Sequence, residues 1–348
     1  MCGRCPGGSA RRYGADPTRA IVIGEFGPPE RLRVGEMPPP RPGPGEVLVE
    51  VHMAPVNYVD LLVVGGTYQS LPARPFIPGK GPAGVVTSLG PGVTEPRVGE
   101  RVLAMAEEGG YAELVALCPD QCYRLPPRMS FVEAASLSLV YDTAWFALRE
   151  RARLTPGETV LVLGASGGVG QAAVQLAHAM GARVLAGILR REKAPAARAA
   201  GADAVIDLSG ERLRDTLREQ VWAATEGRGA EVILDPLGGD TFDAALRALA
   251  WCGRLVVIGF AAGHIPTVKT NYLLLKNIEV SGLQVSDYRK RRPAQVAACF
   301  AEIFELYGEG RIKPAAAEVF PLDQAGEALA ALRDRRLAGR AALRLRDD

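Results

Sequence analysis

The stretch Leu161-Val-Leu-Gly-Ala-Ser-Gly-Gly-Val-Gly170 joins an apolar strand to a glycine-rich turn, after which a helix begins. Backbone N–H groups at such a helix start, with no side chains in the way, are well placed to bind a pyrophosphate. The stretch begins only at residue 161 of the chain. The part of the protein that handles a substrate must therefore be built largely from the residues before it.

The composition is that of a soluble globular protein with two domains. The chain has 348 residues, of which 48% are hydrophobic and 23% charged. A net charge of +2 gives no reason to expect nucleic acid or an anionic membrane as partner. Residues 1–19 lack the apolar stretch of a signal peptide and are predicted to form a flexible extension. We therefore expect a cytoplasmic protein without membrane spans.

The region before the turn is predicted to be mostly β-structure. Segments with the alternation of strands are separated by Pro- and Gly-rich turns, and they occupy residues 20–26, 46–53, 84–89 and 101–106. Such short strands indicate a small barrel-like domain. The pattern of short strands ends near Ser130-Phe-Val-Glu133, which resembles a capping box that begins a helix.

From residue 131 onward, strands and helices alternate. The helix after the turn has one apolar face, and Gly181 is expected to end it. Further strands are predicted at 182–188, 204–207, 231–236, 254–259 and 278–283, and helices at 193–200, 211–224, 240–250 and 294–308. This alternation predicts an α/β fold with a doubly wound parallel sheet. The elements after residue 294 are expected to return to the first domain.

The end of the second strand of this sheet indicates the type of dinucleotide. An Asp or Glu there binds the ribose hydroxyls of NAD. Here the positions read Arg190, Arg191, Glu192 and Lys193. Guanidinium groups would pair with a 2′-phosphate, so NADPH is the predicted cofactor. The alternative is a solvated basic helix start, which the helix dipole disfavours.

The spacing of the cysteines gives only weak support for a metal site. Cys2 and Cys5 are separated as in half a zinc site, and Cys118 and Cys122 could in principle complete it. The alternative is unpaired thiols in a reducing compartment. Because a mobile tail is a poor place for ligands, no metal site is predicted.

Several short motifs in a fixed order resemble the zinc-independent medium-chain dehydrogenase/reductases, specifically the quinone oxidoreductase (zeta-crystallin-like) branch. They extend over about residues 20–346 and include Asn57-Tyr-Val-Asp-Leu-Leu62, Gly66-Thr-Tyr68, Pro78-Gly79, Gly110-Tyr-Ala-Glu113, Thr143-Ala-Trp145, Pro156 to Gly170, Asp235-Pro-Leu-Gly-Gly239 and Gly253-Arg-Leu-Val-Val-Ile-Gly-Phe260. The resemblance implies a GroES-like catalytic domain (20–141 and 285–348) divided by a Rossmann domain that binds NADPH (142–284).

The resemblance also implies chemistry without zinc. Zinc-dependent relatives carry a catalytic Cys and a Gly-His-Glu, where this chain reads Val56-Asn57-Tyr58 and Gly79-Lys80-Gly81. Without a Lewis acid, reduction of an already electrophilic acceptor is the expected reaction. Many relatives have a tyrosine where this chain has Leu62 and an acid where it has Gly81, which leaves the acceptor open. With Lys80 beside Gly81, these departures could also place a lysine near the acceptor.

Site residues follow from the same resemblance by position. Ser166, Gly167, Gly168 and Val169 would hold the pyrophosphate, and Thr143 and Phe260 would approach the nicotinamide end. Asn57, Tyr68 and Tyr141 are candidates for the substrate pocket, although a turn-forming Asn57 and a packing Tyr68 are the structural alternatives. No residue is assigned as the proton donor.

The predicted activity is hydride transfer from NADPH to a quinone or an α,β-unsaturated carbonyl compound. One alternative is a stand-alone enoyl-thioester reductase, whose acyl chain Leu62 would suit. Another is an NADPH-binding sensor or structural protein with little catalysis. A homodimer that pairs through the apolar segment Ile278–Leu283 is also expected.

Overall fold

The structure is a computed structural model that describes residues 17–346. The chain divides into two compact units. The first unit comprises residues 17–139, Tyr288–Phe300 and 314–346, and the second comprises Val140–Asp287 and Ala301–Lys313. Cys2 and Cys5, and most of the predicted extension 1–19, lie outside the described residues. The predicted domain boundaries stay predictions.

The first part of the chain is mostly β-structure, as predicted. Its elements are β1 (Thr18–Ile21), β2 (Val34–Met37), β3 (Val47–Val56), α1 (Tyr58–Val64), β4 (Ala83–Leu89), β5 (Arg101–Ala104), β6 (Leu114–Leu117), β7 (Cys122–Arg124) and α2 (Phe131–Leu137). Short 3₁₀ turns lie at Pro29–Arg31 and Pro119–Gln121. Strands β1 and β2 form a separate antiparallel pair.

The middle of the chain alternates helices and strands. In order they are α3 (Val140–Phe146, continued by a π-helical turn Ala147–Arg151), β8 (Thr159–Val162), α4 (Gly168–Ala179), β9 (Arg183–Ile188), α5 (Ala194–Ala199), β10 (Ala204–Asp207), α6 (Leu213–Ala224), β11 (Ala230–Asp235), α7 (Gly239–Ala248), β12 (Leu249–Val257), α8 (Thr270–Lys276) and β13 (Glu279–Gly282). The last part contains α9 (Val285–Arg291), α10 (Pro293–Gly308), β14 (Ala317–Pro321), α11 (Ala325–Arg333) and β15 (Arg340–Arg344). Further 3₁₀ turns lie at Arg191–Lys193 and Leu322–Gln324.

Six parallel strands form the sheet of the second unit, in the order β10-β9-β8-β11-β12-β13. The order reverses direction beside β8, as in doubly wound folds. Leu161, Leu185, Ile233 and Leu255 are fully buried in its core. The predicted α/β class and its parallel sheet are confirmed.

The sheet of the first unit has the order β14-β15-β3-β4-β5-β7, and β6 pairs with β3. The end of the chain contributes to it because β15 runs antiparallel to β3, with Ala342 opposite Pro55. Val49, Val51, Val86 and Val102 are fully buried beneath it. This arrangement confirms the GroES-like class. Strands β14 and β15 and helix α11 belong to this unit, whereas Ala301–Lys313, with the second half of α10, belongs to the second unit.

Local signals in the sequence predicted some boundaries better than others. The capping box at the start of α2 is present, with Glu133 N 3.2 Å from Ser130 Oγ and Ser130 N 2.9 Å from Glu133 Oε2. The helix predicted over 240–250 ends at Ala248, and β12 begins at Leu249 rather than 254. Leu249 pairs with Ala230, and the strand then bulges near Cys252, whose φ is 58°. Tertiary pairing overrides the helical pattern there.

Helix α3 was not predicted because burial removes its periodicity. All seven of its residues are buried, so no polar face marks it in the sequence.

Among residues 17–346, no helix combines the length and the apolar character that crossing a bilayer requires.

Candidate functional site

The glycine-rich turn of the second unit connects β8 to α4. Gly164 adopts a φ of +63°, which favours glycine. Hydrogen bonds from Gly167 N to Gly164 O (2.9 Å) and from Ala165 N to Gly187 O (2.9 Å) hold the turn. Gln171 Nε2 donates to Ser166 O at 2.9 Å. The predicted residues Ser166, Gly167, Gly168 and Val169 are thus consecutive at the start of α4.

Gly170 lets this helix start approach the strand closely. A Cβ at Gly170 would lie 2.2 Å from Gly164 O and 2.7 Å from the Cα of Ala165. Gly167, which is exposed and precedes the helix as its N-cap, has no side chain over the first turn, and that turn has no acidic residue. The first N–H groups of a helix bind anions, so this junction fits a pyrophosphate.

A second cluster lies where β9 ends. Arg191 donates to Asp207 Oδ2 through Nε (2.8 Å) and Nη2 (2.6 Å), although its side chain is 86% exposed. Ser209 also donates to Asp207, from N at 2.9 Å and from Oγ at 2.6 Å. These bonds, first those from Ser209 and then those from Arg191, lower the pKa of Asp207 to about 2.

Arg190 differs from Arg191 because no acidic side chain in the described part of the chain holds its guanidinium group. Its side chain is exposed, and among residues 17–346 it makes no hydrogen bond or ion pair. Lys193 is half-buried nearby in the chain. Sequence reasoning missed Asp207 and Ser209. They lie at the end of β10, where pairing with β9 places Asp207 opposite Ile188.

Helix α3 carries Tyr141 and Thr143, two predicted site residues of the second unit. The Tyr141 hydroxyl is buried and donates to Gln175 Oε1 of α4 at 3.1 Å, and Lys313 N donates to the same oxygen at 2.6 Å. Thr143 N donates to the buried Asp142 Oδ1 at 2.9 Å. The hydroxyl of Tyr141 is therefore already used in packing α3 against α4.

Phe260 lies in the loop after β12 and is 40% exposed. A Cβ at Gly238 would lie 3.0 Å from the Phe260 ring, so the ring packs over the turn that follows β11. Asp235 closes that turn, because its Oδ1 accepts from Leu237 N at 2.8 Å and from Gly238 N at 2.9 Å. Burial raises the pKa of Asp235.

In the first unit, Asn57 lies between β3 and α1. Its side chain is buried, and its Oδ1 accepts a hydrogen bond from Arg340 Nη2 at 2.8 Å. Arg340 Nε also donates to Ser136 O at 3.3 Å. The Nδ2 of Asn57 is buried without a hydrogen-bond partner among the described residues. Sequence reasoning missed Arg340, which reaches Asn57 across 283 positions of the chain.

Asp60 is a buried carboxyl one turn after Asn57. Its Oδ2 accepts from Asn57 N at 2.9 Å and from the Tyr111 hydroxyl at 3.2 Å. Burial raises the pKa of Asp60 to about 6, against the opposing effects of the Asn57 N–H, Lys80 and Tyr111. Burial, and then the charge of Asp60, raise the pKa of Tyr111 as well.

Lys80 belongs to a buried ionic cluster that sequence reasoning did not foresee. Lys80 Nζ lies 2.5 Å from Glu107 Oε2, and Arg289 Nη1 lies 2.9 Å from Glu107 Oε1. The Arg289 side chain is only 5% exposed. Burial opposes ionisation of Glu107, but Arg289 and Lys80 outweigh it and lower the pKa of Glu107 to about 2. The predicted pocket residue Tyr68 is adjacent, its ring centroid 5.8 Å from Lys80 Nζ.

Among residues 17–346, no group of three or more His, Cys, Asp or Glu side chains is arranged to hold a metal ion. The four-cysteine alternative depends on Cys2 and Cys5 and is outside these residues.

Comparisons with known proteins agree with this architecture. The family model described as "Alcohol dehydrogenase GroES-like domain" matches residues 43–127, and the one described as "Zinc-binding dehydrogenase" matches residues 168–302. The chain is similar to quinone oxidoreductase-like protein 2 of Rattus norvegicus, with 35% identity over 347 residues, 99% of this chain and 96% of the relative.

Two solved structures show the same fold. The quinone oxidoreductase of Escherichia coli, solved in complex with NADPH, aligns with a TM-score of 0.85 and 30% identity over 95% of this chain and 100% of that one. The CurK enoyl reductase aligns with a TM-score of 0.84 and 25% identity over 94% of this chain and 99% of that one. The chain is therefore an oxidoreductase that belongs to the quinone oxidoreductase family of the medium-chain dehydrogenase/reductases.

Proposed function

We propose that this protein uses NADPH to reduce a quinone or an α,β-unsaturated carbonyl compound, without zinc. The observation that supports it most is the helix start at Gly167–Gly170, where the absence of side chains leaves backbone N–H groups open to a pyrophosphate. The related E. coli quinone oxidoreductase was solved with NADPH. When bound, NADPH supplies the hydride.

The chain's own residues would bind and orient this cofactor. Ser166, Gly167, Gly168 and Val169 would bind the pyrophosphate at the start of α4. Arg190 would bind the 2′-phosphate, since its guanidinium has no other partner in the described chain. Arg191, held by Asp207, and Lys193 would add positive charge. Thr143 and Phe260 are proposed to border the nicotinamide end.

The polar groups of the first unit favour a reaction without zinc. Asn57, at the position of a zinc-binding cysteine in relatives, already uses its oxygen to accept from Arg340. Lys80 places an ammonium group between Gly79 and Gly81, where relatives have Gly-His-Glu. A fixed cation repels a metal ion at this position. We propose that Asn57 and Tyr68 line the pocket and orient the acceptor's oxygen.

The proposal is tested by following the oxidation of NADPH and NADH at 340 nm. The acceptors are 1,4-benzoquinone, 1,2-naphthoquinone and an enone such as 3-penten-2-one, with the purified full chain after treatment with a chelator. We expect turnover with NADPH that exceeds turnover with NADH and survives the chelator. Tight NADPH binding without turnover of any acceptor would instead support the sensor alternative. Activity that returns only on adding zinc would contradict the metal-free part.

A second candidate is an enoyl-thioester reductase. It is favoured by the likeness to the CurK enoyl reductase and by Leu62, a half-buried apolar side chain on α1 where an acyl chain would need one. Crotonyl-thioester and 3-penten-2-one are compared as substrates. A kcat/KM at least tenfold higher for the thioester would favour this candidate over the free enone.

We also propose a homodimer that forms through β13. This strand is at the edge of the described six-stranded sheet and pairs there with β12. Exposed strand edges pair readily with a second copy. Sedimentation equilibrium would show a dimer for the wild type and a monomer for Val280→Pro, which removes a backbone donor from the edge. Location in the cytoplasm stays a prediction.

A further inference from the structure

The cluster around Lys80 brings two cations to one carboxylate. Lys80 Nζ lies 2.5 Å from one oxygen of Glu107, and Arg289 Nη1 lies 2.9 Å from the other. The positive charge of Lys80 also reaches the buried Asp60, where it opposes the larger effect of burial on the pKa of that carboxyl. A buried ammonium group is costly unless its hydrogen bonds are completed.

Lys80 is short of hydrogen-bond acceptors. The residue is only 8% exposed, and an ammonium group has three N–H donors. Among residues 17–346, Glu107 Oε2 is the one oxygen to which Lys80 donates a hydrogen bond. The remaining contact of its ammonium is the face of the Tyr68 ring, at 5.8 Å. Two donors are therefore left for oxygen atoms that the described chain does not supply.

Close packing at two glycines fixes the loop that carries Lys80. Gly79 and Gly81 have φ values of +94° and +63°. A Cβ at Gly79 would lie 2.2 Å from the Tyr111 ring, and one at Gly81 would lie 2.1 Å from Ser138 Oγ. Gly81 N donates to Ala106 O at 3.0 Å, next to Glu107. Because the backbone on both sides of Lys80 has no room to move, the position of its ammonium group is well defined.

From these observations we propose that Lys80 forms a subsite for a carboxylate or similar acidic oxygen group on the acceptor, with Glu107 and Arg289 positioning its ammonium. The inference rests on the proposed function, because Tyr68 is taken to line the acceptor pocket. It narrows the acceptor to conjugated carbonyl compounds that carry an anionic group. Charge-assisted hydrogen bonds to such a group are about twice as strong as neutral ones.

The test uses an acceptor and its neutral ester. Trans-4-oxo-2-pentenoate carries a carboxylate on an enone, and its methyl ester has the same reactive carbons without the charge. We expect kcat/KM of the wild type to favour the acid by about tenfold or more, mainly through KM. Lys80→Met should remove this preference, and Lys80→Arg should retain part of it. Lys290→Met, which removes an exposed lysine of the same unit, should leave the ratio as in the wild type.

Glu107→Gln separates a binding subsite from a purely structural ion cluster. The amide oxygen of the variant can still accept a hydrogen bond from Lys80 and keep its ammonium in place, while the negative charge is lost. A subsite therefore predicts a preference for the acid that rises severalfold. A structural role predicts that both substrates lose activity together and that the ratio stays constant. Equal use of acid and ester by the wild type, or an unchanged ratio in Lys80→Met, would overturn the proposal.

A binding measurement distinguishes failure of this inference from failure of the proposed function. The saturated compound 4-oxopentanoate has no conjugated carbon to accept a hydride. Saturation-transfer NMR should show that it binds about tenfold more tightly than its methyl ester, and that Lys80→Met removes the difference. Absence of any NADPH oxidation would reject the proposed function, whereas equal binding of these two compounds would reject the subsite.

Discussion

The β8–α4 turn and the Lys80 cluster show two opposite ways to build a site for a negative charge. The turn uses backbone N–H groups and the absence of side chains, so its requirements lie within ten consecutive residues. The cluster uses three charged side chains, of which Glu107 and Arg289 are 182 positions apart. A backbone site can be recognised in a sequence because glycine is needed where a side chain would collide with the turn, as at Gly170. A site built from distant side chains can be recognised only in the folded structure, where those side chains lie close together.

The largest expected effect is at Gly170, where the backbone site has no room for a side chain. Gly170→Ala should lower the free energy of unfolding by more than about 3 kcal/mol and abolish NADPH binding, because the new Cβ meets backbone atoms that cannot move away. Chemical denaturation and NADPH fluorescence titration measure the two effects.

Gly308→Ala is the matched control for this substitution, since nothing lies within 4 Å of a Cβ there. If Gly170→Ala behaves like Gly308→Ala in stability and NADPH affinity, the turn does not depend on close backbone approach.

The next effect concerns buried charge in the first unit. The pKa of folded Asp60 is raised to about 6 from an ordinary value of 3.8, so the protonated carboxyl is favoured. The stability it contributes is complete below about pH 4 and is lost as pH rises through 6, a change of about 3 kcal/mol. In Asp60→Asn this loss should be absent.

Denaturant unfolding at pH 4.5 and 7.5 measures this difference. Asp323→Asn, an exposed acid of the same unit, should keep the pH dependence of the wild type. A wild type and an Asp60→Asn variant with parallel pH profiles would show that Asp60 is not a costly buried charge.

A smaller effect is expected where side chains supplement the backbone site. Arg190→Ala should weaken NADPH binding by about tenfold and leave NADH binding nearly unchanged, because a charge-assisted pair to the 2′-phosphate is lost. Titration with both cofactors gives the ratio. Equal losses for NADPH and NADH would place Arg190 away from the 2′-phosphate.

The smallest effect should come from Arg191→Ala, about threefold on the same NADPH-to-NADH ratio. Its guanidinium is shared with Asp207 and is largely exposed, so solvent screens much of its charge. A larger effect than that of Arg190→Ala would mean that Asp207 positions Arg191 as the main phosphate ligand.

Sequence reasoning reached the dinucleotide turn, the parallel sheet and the capping box at Ser130 because each depends on residues close in the chain. It did not find helix α3, whose complete burial leaves no polar face to mark it. It proposed Tyr141 for the pocket by position, which stays a prediction, and it could not foresee the hydrogen bond from the Tyr141 hydroxyl to Gln175. It raised the idea of a lysine near the acceptor from the position of Lys80 beside Gly81, but it did not find the partners Glu107 and Arg289.

By itself the sequence determined the family, the two kinds of domain and the glycine-built helix start, since local backbone geometry dictates residue type there. Only the tertiary structure decided that Asp207 restrains Arg191, that Arg340 reaches Asn57, and that Glu107 and Arg289 surround Lys80. The physical reason is that burial and charge balance depend on which distant segments pack together. No pattern along the chain encodes that.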